Sequence, residues 1–410
     1  MGTASRRELA EATGLSFATV AAISADLLTS GVLTASAPER NAVGRPTARL
    51  QLNGERGVFL ALDIVEDHLE IATYDSGLRG LSRSRVQFER QFVAPDELLS
   101  VVRAAIRSQA EVNAPRTVIG IGVSAPGVVD PVTATWMLAP PWQWRQVTLA
   151  DLADDVVDHA DSDGAGRGGV GRYDATARHV ALDNPQRMLA TAELWSNPVR
   201  ADQTFVVLSL GAHVTSGIAI NGRLLRGRTN TAGQWGHSVL VAGGRPCHCG
   251  SYGCVETYLG AEGILRTLRD IDSDSPLLNN GDTTTAIEEL ARAVVTGDPV
   301  ANKTVDRTGH YLGAAIASMV NLLNPDAVVL TGWIGELLGA YLLGRARTQI
   351  ETCALDVPLR ATMIELGRPS TDQVCLGAAA EALERSLIEL SRERIASAGS
   401  AEVSNQLAEV

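Results

Sequence analysis

One stretch, Gly233 to Glu256, constrains the fold of this chain more than any other. Within eighteen residues it holds four candidate metal ligands, with nine, one and four residues between successive members: His237, Cys247, Cys249 and Cys254. An imidazole and three thiols can close a tetrahedral shell around zinc, and a shell made only of protein ligands predicts a structural ion. The tight turns that such a shell needs can come from the neighbouring glycines: Gly243, Gly244, Gly250 and Gly253.

Two other interpretations of this stretch are open. The cysteines could be buried free thiols, although burial alone does not explain such close spacing. His248 could replace His237 as the fourth ligand, although its position between two cysteines favours a side chain that points away. Cys353 and Cys375 lie far along the chain, and we expect them in the core.

Charge and hydropathy limit the partners of the chain. Its 47 acidic and 35 basic residues give a net charge of −12, so any DNA contact has to come from a local module rather than from the body of the protein. The sequence has neither an apolar run of eighteen residues nor an N-terminal signal pattern. We therefore expect a cytoplasmic protein without membrane contact, where clustered cysteines indicate metal more often than disulfides.

Residues 1–53 predict a small DNA-binding module. Ser5, with Glu8 three residues later, is typical of a helix start, and Gly14 ends that helix. Ser16 can cap a second helix, and two short helices around a glycine-containing turn form the helix-turn-helix pattern. The start of the second helix offers three residues to a DNA groove: Ser16, Phe17 and Thr19.

A predicted strand pair follows and completes a winged helix-turn-helix. Arg45, in the Gly-Arg-Pro tip of the wing, stands where a narrow minor groove could accept an arginine. Winged modules normally have a helix before the pair, so we expect this one to lack its first helix and part of its core. The alternative is that the two amphipathic helices only pack together.

The rest of the chain alternates strands and helices, as α/β folds do. We predict a first lobe at 54–195, a second lobe at 196–395 that includes the cysteine-rich stretch and a closing helix, and a polar tail at 396–410. Residues 136–144, with three tryptophans, are predicted as a loop that either covers a pocket or packs in the core.

The stretch from Gly236 to Glu256 resembles the signature of the ROK family of repressors, open reading frames and sugar kinases. The helix pair and Gly-Arg-Pro wing resemble its repressor branch, and the likeness covers essentially the whole chain. It implies an α/β fold of the actin-like ATPase (ribonuclease H-like) class, with two lobes and a sugar site between them. It also implies a homodimer or homotetramer, a structural Zn²⁺ on the four predicted ligands, and His237 and Glu256 near the sugar.

The kinase motifs of that family are altered at four places. The family's Asp-x-Gly-Gly-Thr corresponds to Asp63 followed by residues 64–67, which contain no glycine and two added carboxylates. The second phosphate loop reads Gly-Ala-His-Val-Thr at 211–215, and Trp333 follows Gly332 in the adenosine loop. The family's catalytic Asp corresponds to Pro185, which has no side chain to accept a proton. The sequence therefore predicts a protein that is not an enzyme.

The family's sugar site is only partly present. Four candidate effector-binding residues remain: Asn184, Gln234, His237 and Glu256. Gln234 replaces a family Glu, and Pro141 replaces a family Asn. We predict a sugar-responsive transcriptional regulator, a repressor of carbohydrate metabolism genes, that binds operator DNA and a sugar or sugar-derivative effector. The alternatives are a glucokinase-like sugar kinase and a non-catalytic pseudokinase that binds other proteins.

Overall fold

The computed structural model describes residues 2–36, 48–88, 92, 94–139, 142–156, 179–279, 281–368 and 373–408. These residues form two units: Met1–Met188 with Asp372–Val410, and Leu189–Thr371. No single helix in the described ranges is long and apolar enough to span a membrane. Only the first two helices taken together, with a bend of 119° between them, pass the same test of length and composition.

The N-terminal helix pair forms as the sequence predicts. The helices are α1 (Arg6–Thr13) and α2 (Phe17–Thr29). The Ser5 hydroxyl accepts a hydrogen bond from the Glu8 N–H at 3.2 Å, and the Glu8 carboxylate accepts one from the Ser5 N–H at 2.7 Å. Gly14 ends α1 in the left-handed conformation, with φ 68°. The Ser16 hydroxyl then caps α2 by accepting the Thr19 N–H at 3.1 Å, so these three helix boundaries have local causes.

Two short strands follow the helix pair, β1 (Leu33–Ala35) and β2 (Leu50–Leu52), and they pair antiparallel. Leu9, Val20 and Leu50 contribute to an apolar recess of about 370 Å³ between helices and strands. The tip of the predicted wing, including Arg45, lies outside the described residues. The elements of a helix pair and a strand pair are therefore present, in the predicted order.

The first unit is built on a five-stranded sheet with the order β10-β6-β3-β4-β5. Its strands are β3 (Val58–Ile64), β4 (His68–Asp75), β5 (Gly80–Gln87), β6 (Val118–Ser124) and β10 (His179–Asp183). β3 pairs antiparallel with β4 and parallel with β6, and β10 continues the parallel side. Helix α3 (Pro95–Val112) packs its apolar stripe against this core. Helix α4 (Pro185–Ser196) begins directly after β10.

The tryptophan-rich segment belongs to a small antiparallel sheet. Its strands are β7 (Val128–Asp130), β8 (Thr135–Ala139) and β9 (Trp144–Thr148). The predicted loop at 136–144 is therefore mostly strand, and of its two alternatives, packing in the core is the one observed. Trp136 is fully buried, and its ring meets Trp142 edge-on at 5.5 Å between centroids.

The long C-terminal helix α11 (Gln373–Ala408) belongs to the first unit. The prediction that the closing helix is part of the second lobe is wrong, and the predicted tail from 396 continues this helix to Ala408. Small residues explain the placement, because they let the helix backbone approach the sheet. A Cβ on Gly122 in β6 would lie 2.0 Å from the carbonyl oxygen of Ala378. The contact joins residues more than 250 positions apart, which local sequence patterns do not record.

The second unit repeats the sheet topology of the first. Its strands are β11 (Phe205–Leu210), β12 (Val214–Ile220), β13 (Arg223–Leu224), β14 (Ala327–Thr331) and β15 (Met363–Leu366). Their order is β13-β12-β11-β14-β15, so the central strand again has antiparallel neighbours on one side and parallel ones on the other. Six helices accompany the sheet: α5 (Glu256–Leu259), α6 (Ala261–Ile271), α7 (Thr283–Thr296), α8 (Pro299–Leu323), α9 (Trp333–Cys353) and α10 (Asp356–Ala361).

Candidate metal centre and binding residues

The structure brings the four predicted metal ligands together in the loop between β13 and α5. The ligand atoms of His237, Cys247, Cys249 and Cys254 all lie within 4.8 Å of one another. The Cys249 and Cys254 sulfurs are 3.7 Å apart, and the Cys247 sulfur is 3.7 Å from Nδ1 of His237. Two sulfurs that are each about 2.3 Å from a tetrahedral zinc would be about 3.8 Å apart. The donor set therefore fits zinc in both chemistry and spacing.

The protonation of the thiols also fits a metal centre. Burial, together with the neighbouring thiols of Cys247 and Cys249, raises the pKa of Cys254 to about 12. Three thiolates at this spacing repel one another, and a bound cation removes that repulsion. The loop is thus arranged for groups that ionise when they meet a metal ion.

Glycines make the chain reversals around this centre possible. Gly253 has φ 74°, and a Cβ there would lie 1.7 Å from the carbonyl oxygen of Val241. Gly243 and Gly250 also have positive φ, as the predicted turns require. Gly244 is different, because its conformation is ordinary but a Cβ would lie 2.2 Å from the Tyr258 hydroxyl. The chain therefore leaves no room for a side chain at Gly244 and Gly253.

His248 is not part of this group of four. Its Nδ1 lies 3.1 Å from Oε1 of Glu256, and Nδ1 of His213 lies 3.3 Å from Oε2 of the same carboxylate. The Val214 N–H donates to that Oε2 at 3.0 Å. Among the described residues, the ligand atoms of His237 rather than those of His248 therefore group with the three cysteine sulfurs. The grouping of His213 with His248 was missed by sequence reasoning, since the two lie 35 positions apart and share no spacing pattern.

Glu256 is buried, with 7% of its surface exposed, and it is the first residue of α5. Burial by itself raises the pKa of this carboxyl. Hydrogen bonds from His213 and the Val214 N–H, with the charges of His213 and His248, outweigh burial and hold the pKa below its usual range. The carboxylate is therefore ionised, and both of its oxygens already have partners.

Gln234, another predicted effector residue, does not line the same recess as Glu256. Gln234 is exposed and lines a recess of about 300 Å³, whereas Glu256 lines a different one of about 370 Å³. Asn184, in the first unit, is fully buried between β10 and α4. Its Oδ1 accepts from the Arg187 N–H at 3.2 Å, and its Nδ2 has no partner among the residues described. Pro141 lies outside those residues.

The residues at the positions of the altered kinase motifs make structural contacts that do not resemble a phosphate site. Pro185 is the first residue of α4, where a missing N–H costs nothing. A Cβ on Gly211 would lie 3.1 Å from Nε1 of Trp333, so an indole lies against the loop that the resemblance assigns to phosphate. Asp63 is enclosed at the end of β3, and burial raises its pKa to about 6.

The predicted DNA-contacting residues lie at the exposed start of α2. The Phe17 side chain is 60% exposed. Ser16 and Thr19 are also exposed, and their hydroxyls are 2.8 Å apart. Arg45 cannot be placed with them, because it lies outside the described residues.

Comparison with known proteins identifies the family. The model of the ROK family matches residues 173–385, more than half of the chain, and the chain belongs to the ROK family. The two five-stranded sheets have the same topology. The chain therefore has the predicted α/β fold of the actin-like ATPase class.

Relatives along the whole chain carry repressor names. A xylose repressor of Caldicellulosiruptor bescii is 22% identical over 91% of this chain and 90% of its own. A solved structure described as a ROK family transcriptional regulator, a homologue of the E. coli MLC protein, matches with a TM-score of 0.75 and 25% identity. It covers 94% of this chain and 93% of its own. A glucokinase of Halalkalibacterium halodurans is 30% identical over 58% of this chain and 68% of its own.

Proposed function

We propose that this protein is a sugar-responsive, DNA-binding transcriptional regulator that represses genes of carbohydrate metabolism. The observation that carries the proposal is the capped helix pair with an exposed start of α2, followed by the ROK fold in one chain. The repressor-named relatives that match over about nine tenths of the chain support it. The glucokinase match covers a smaller part.

Zinc has a structural role in this proposal. The four ligands His237, Cys247, Cys249 and Cys254 would hold one Zn²⁺ and leave no open position for water or substrate. Bound zinc would supply cross-linking of the loop rather than Lewis-acid chemistry. The loop, in turn, fixes the start of α5 and so the orientation of Glu256.

The residues at the altered kinase motifs argue against phosphoryl transfer. A kinase has to hold a triphosphate and to accept a proton from the sugar hydroxyl. In this chain Pro185 starts a helix, Trp333 lies against the Gly211 loop, and Glu66 and Asp67 would repel phosphate after Asp63. We infer that the ancestral catalytic fold works here as a sensor without turnover.

For the effector we propose contacts from Asn184, Gln234, His237 and Glu256. Asn184 supports this with a buried donor that has no partner among the described residues, a group whose desolvation a hydroxyl ligand would offset. Regulation follows if the effector binds the DNA-competent and DNA-incompetent states with different affinity, because a ligand shifts an equilibrium only by that difference. A homodimer or homotetramer would present paired helices to half-sites about 34–36 Å apart.

The proposal is tested by DNA binding of two matched variants. The full chain is measured by fluorescence anisotropy against fragments from upstream of its own and neighbouring genes, at several salt concentrations. Thr19→Glu adds a carboxylate at the third residue of α2, where with Ser16 it forms a capping box and stabilises the helix. Because the same charge repels phosphate, we expect affinity to fall at least tenfold, on the order of 1.4 kcal/mol.

Ala25→Glu is the control, since it adds the same charge to an exposed position near the other end of α2. We expect nearly unchanged affinity. If no fragment binds at low salt, or if Thr19→Glu and Ala25→Glu bind with equal affinity, the regulator proposal is wrong.

The effector is sought in a separate experiment. Monosaccharides and their phosphates are screened by thermal shift, since a ligand of the folded state raises the Tm. Operator binding that no sugar alters would instead favour a ligand-free regulator.

A further inference from the structure

A second group of possible metal ligands lies beside the Cys₃His centre. His213, His248 and Glu256 each offer a ligand atom within 4.8 Å of the others. They come from three separate segments: the loop between β11 and β12, the cysteine-rich loop, and the start of α5. All three side chains line the same cavity of about 370 Å³.

The spacing of these atoms suits a shared ion. The two imidazole nitrogens lie 3.3 and 3.1 Å from the oxygens of the one carboxylate. Two donors that are each about 2.1 Å from a metal, at angles between octahedral and tetrahedral, are about 3.0–3.4 Å apart. Two imidazoles and a carboxylate form a ligand set that binds first-row divalent transition metals and leaves positions open for a further ligand.

The surroundings support coordination as well. Glu256 is buried and its Oε2 is oriented by the Val214 N–H, the kind of outer contact that holds metal-binding carboxylates in place. The His213 and His248 side chains are 58% and 62% exposed, so an ion can reach them from solvent. Zinc with three thiolates carries a net charge of about −1, so the neighbouring centre would attract a second cation.

We propose that His213, His248 and Glu256 form a second metal site, for a divalent first-row transition ion, separate from the structural zinc. The altered phosphate loop then has a role, because His213 is the residue that this loop contributes. The wall of the cavity that the three side chains line also includes Glu262, Arg266 and Arg269. The two arginines suit an anionic oxygen ligand on the metal. The site shares Glu256 with the proposed effector contacts, but its metal content can be measured independently of DNA binding.

The test counts metal ions per chain. The full-length protein is dialysed against buffered Zn²⁺ and its zinc is measured by elemental analysis, with Tm recorded at each free concentration. We expect two zinc ions per chain for the unaltered protein and one for His213→Ala, whose exposed side chain can be removed without a cavity. The Tm should rise with Zn²⁺ beyond saturation of the first site only in the protein that retains His213.

His310→Ala is the matched control, because His310 is an exposed histidine of α8, outside both groups. It should keep two zinc ions. If the unaltered protein binds one zinc, or if His213→Ala binds as many as it does, the second site does not exist and the cluster is only a pair of histidine–carboxylate contacts. Loss of DNA binding in the anisotropy experiment would leave this result unaffected, so the two proposals fail separately.

Discussion

Asp63, the residue that corresponds by resemblance to the Asp of the family's Asp-x-Gly-Gly-Thr motif, works against the stability of the fold when it is ionised. It lies in register with Ser124 at the end of the parallel strands β3 and β6, and its Oδ1 has no hydrogen-bond partner among the described residues. Burial raises its pKa from 3.8 to about 6. The folded protein therefore holds a proton between about pH 4 and pH 6 that the unfolded chain has released.

The sign of the pH effect follows from this proton. Stability falls as pH rises through the window from about 4 to 6 and is level above it, because the folded state binds more protons there than the unfolded state. We expect Asp63→Asn, which cannot ionise, to be more stable at pH 8 by up to about 2–3 kcal/mol. Calorimetry of the variant from pH 4 to pH 8 should show a flatter dependence of Tm on pH.

Asp96→Asn is the control for this experiment, since Asp96 is an exposed carboxyl at the start of α3 in the same unit. It should leave the pH profile unchanged. An Asp63→Asn protein with the same profile as the unaltered chain would contradict the assignment of the buried charge.

The cysteine ligands give the second prediction at this scale. Cys247→Ser removes one of four ligands, so the chain should lose its structural zinc and at least about 3 kcal/mol of stability in the second unit. For a unit of this size that corresponds to a Tm lower by roughly 10 °C. Cys353, which we expected in the core, is exposed and lies outside the group, so Cys353→Ser should change neither zinc content nor Tm. Equal zinc content in both variants would rule out the ligand assignment.

At the scale of elements, the packing of α8 on α9 depends on glycine. A Cβ on Gly313 of α8 would lie 2.6 Å from the carbonyl oxygen of Ala346 and 2.7 Å from Cβ of Gln349. Gly344, in the interior of α9, has no atom within 4 Å of the same position. The two glycines share a secondary structure and differ only in what surrounds them.

This pair separates helix propensity from packing. Gly344→Ala should stabilise the second unit by about 0.5–1 kcal/mol, because alanine restricts the unfolded chain and favours the helix. Gly313→Ala has the same propensity gain but forces α8 and α9 apart, so we expect a net loss of about 1–3 kcal/mol. The measurement is thermal unfolding followed by circular dichroism. Similar shifts in both variants would show that the contact of the two helices is not close.

At the scale of the whole molecule, the kinase motifs that the sequence comparison predicts to be altered are spread over several elements and both units. Restoring the catalytic carboxylate alone should therefore not restore activity. We expect neither the unaltered protein nor Pro185→Asp to phosphorylate any of a panel of hexoses with ATP, in an assay where a ROK glucokinase serves as the positive control. Turnover by Pro185→Asp would mean that the altered loops still bind nucleotide, and turnover by the unaltered protein would overturn the sensor proposal.

Several features of this protein could be predicted from sequence because their causes are local. The caps at Ser5 and Ser16 depend on hydrogen bonds across three residues. The four candidate zinc ligands lie within eighteen residues, so their spacing alone indicates one centre. Family membership followed from the same stretch.

Other features were decided only by contacts between distant parts of the chain. The attachment of α11 to the first sheet depends on Gly122 meeting Ala378, and nothing near either residue indicates the partner. His213 and His248 meet at Glu256 only because the loop after β11, the cysteine-rich loop and α5 fold against one another. Short-range hydrogen bonds and turns are determined by residues that are neighbours in the sequence. Convergence of side chains from three segments is a product of packing, and packing exists only in the folded molecule.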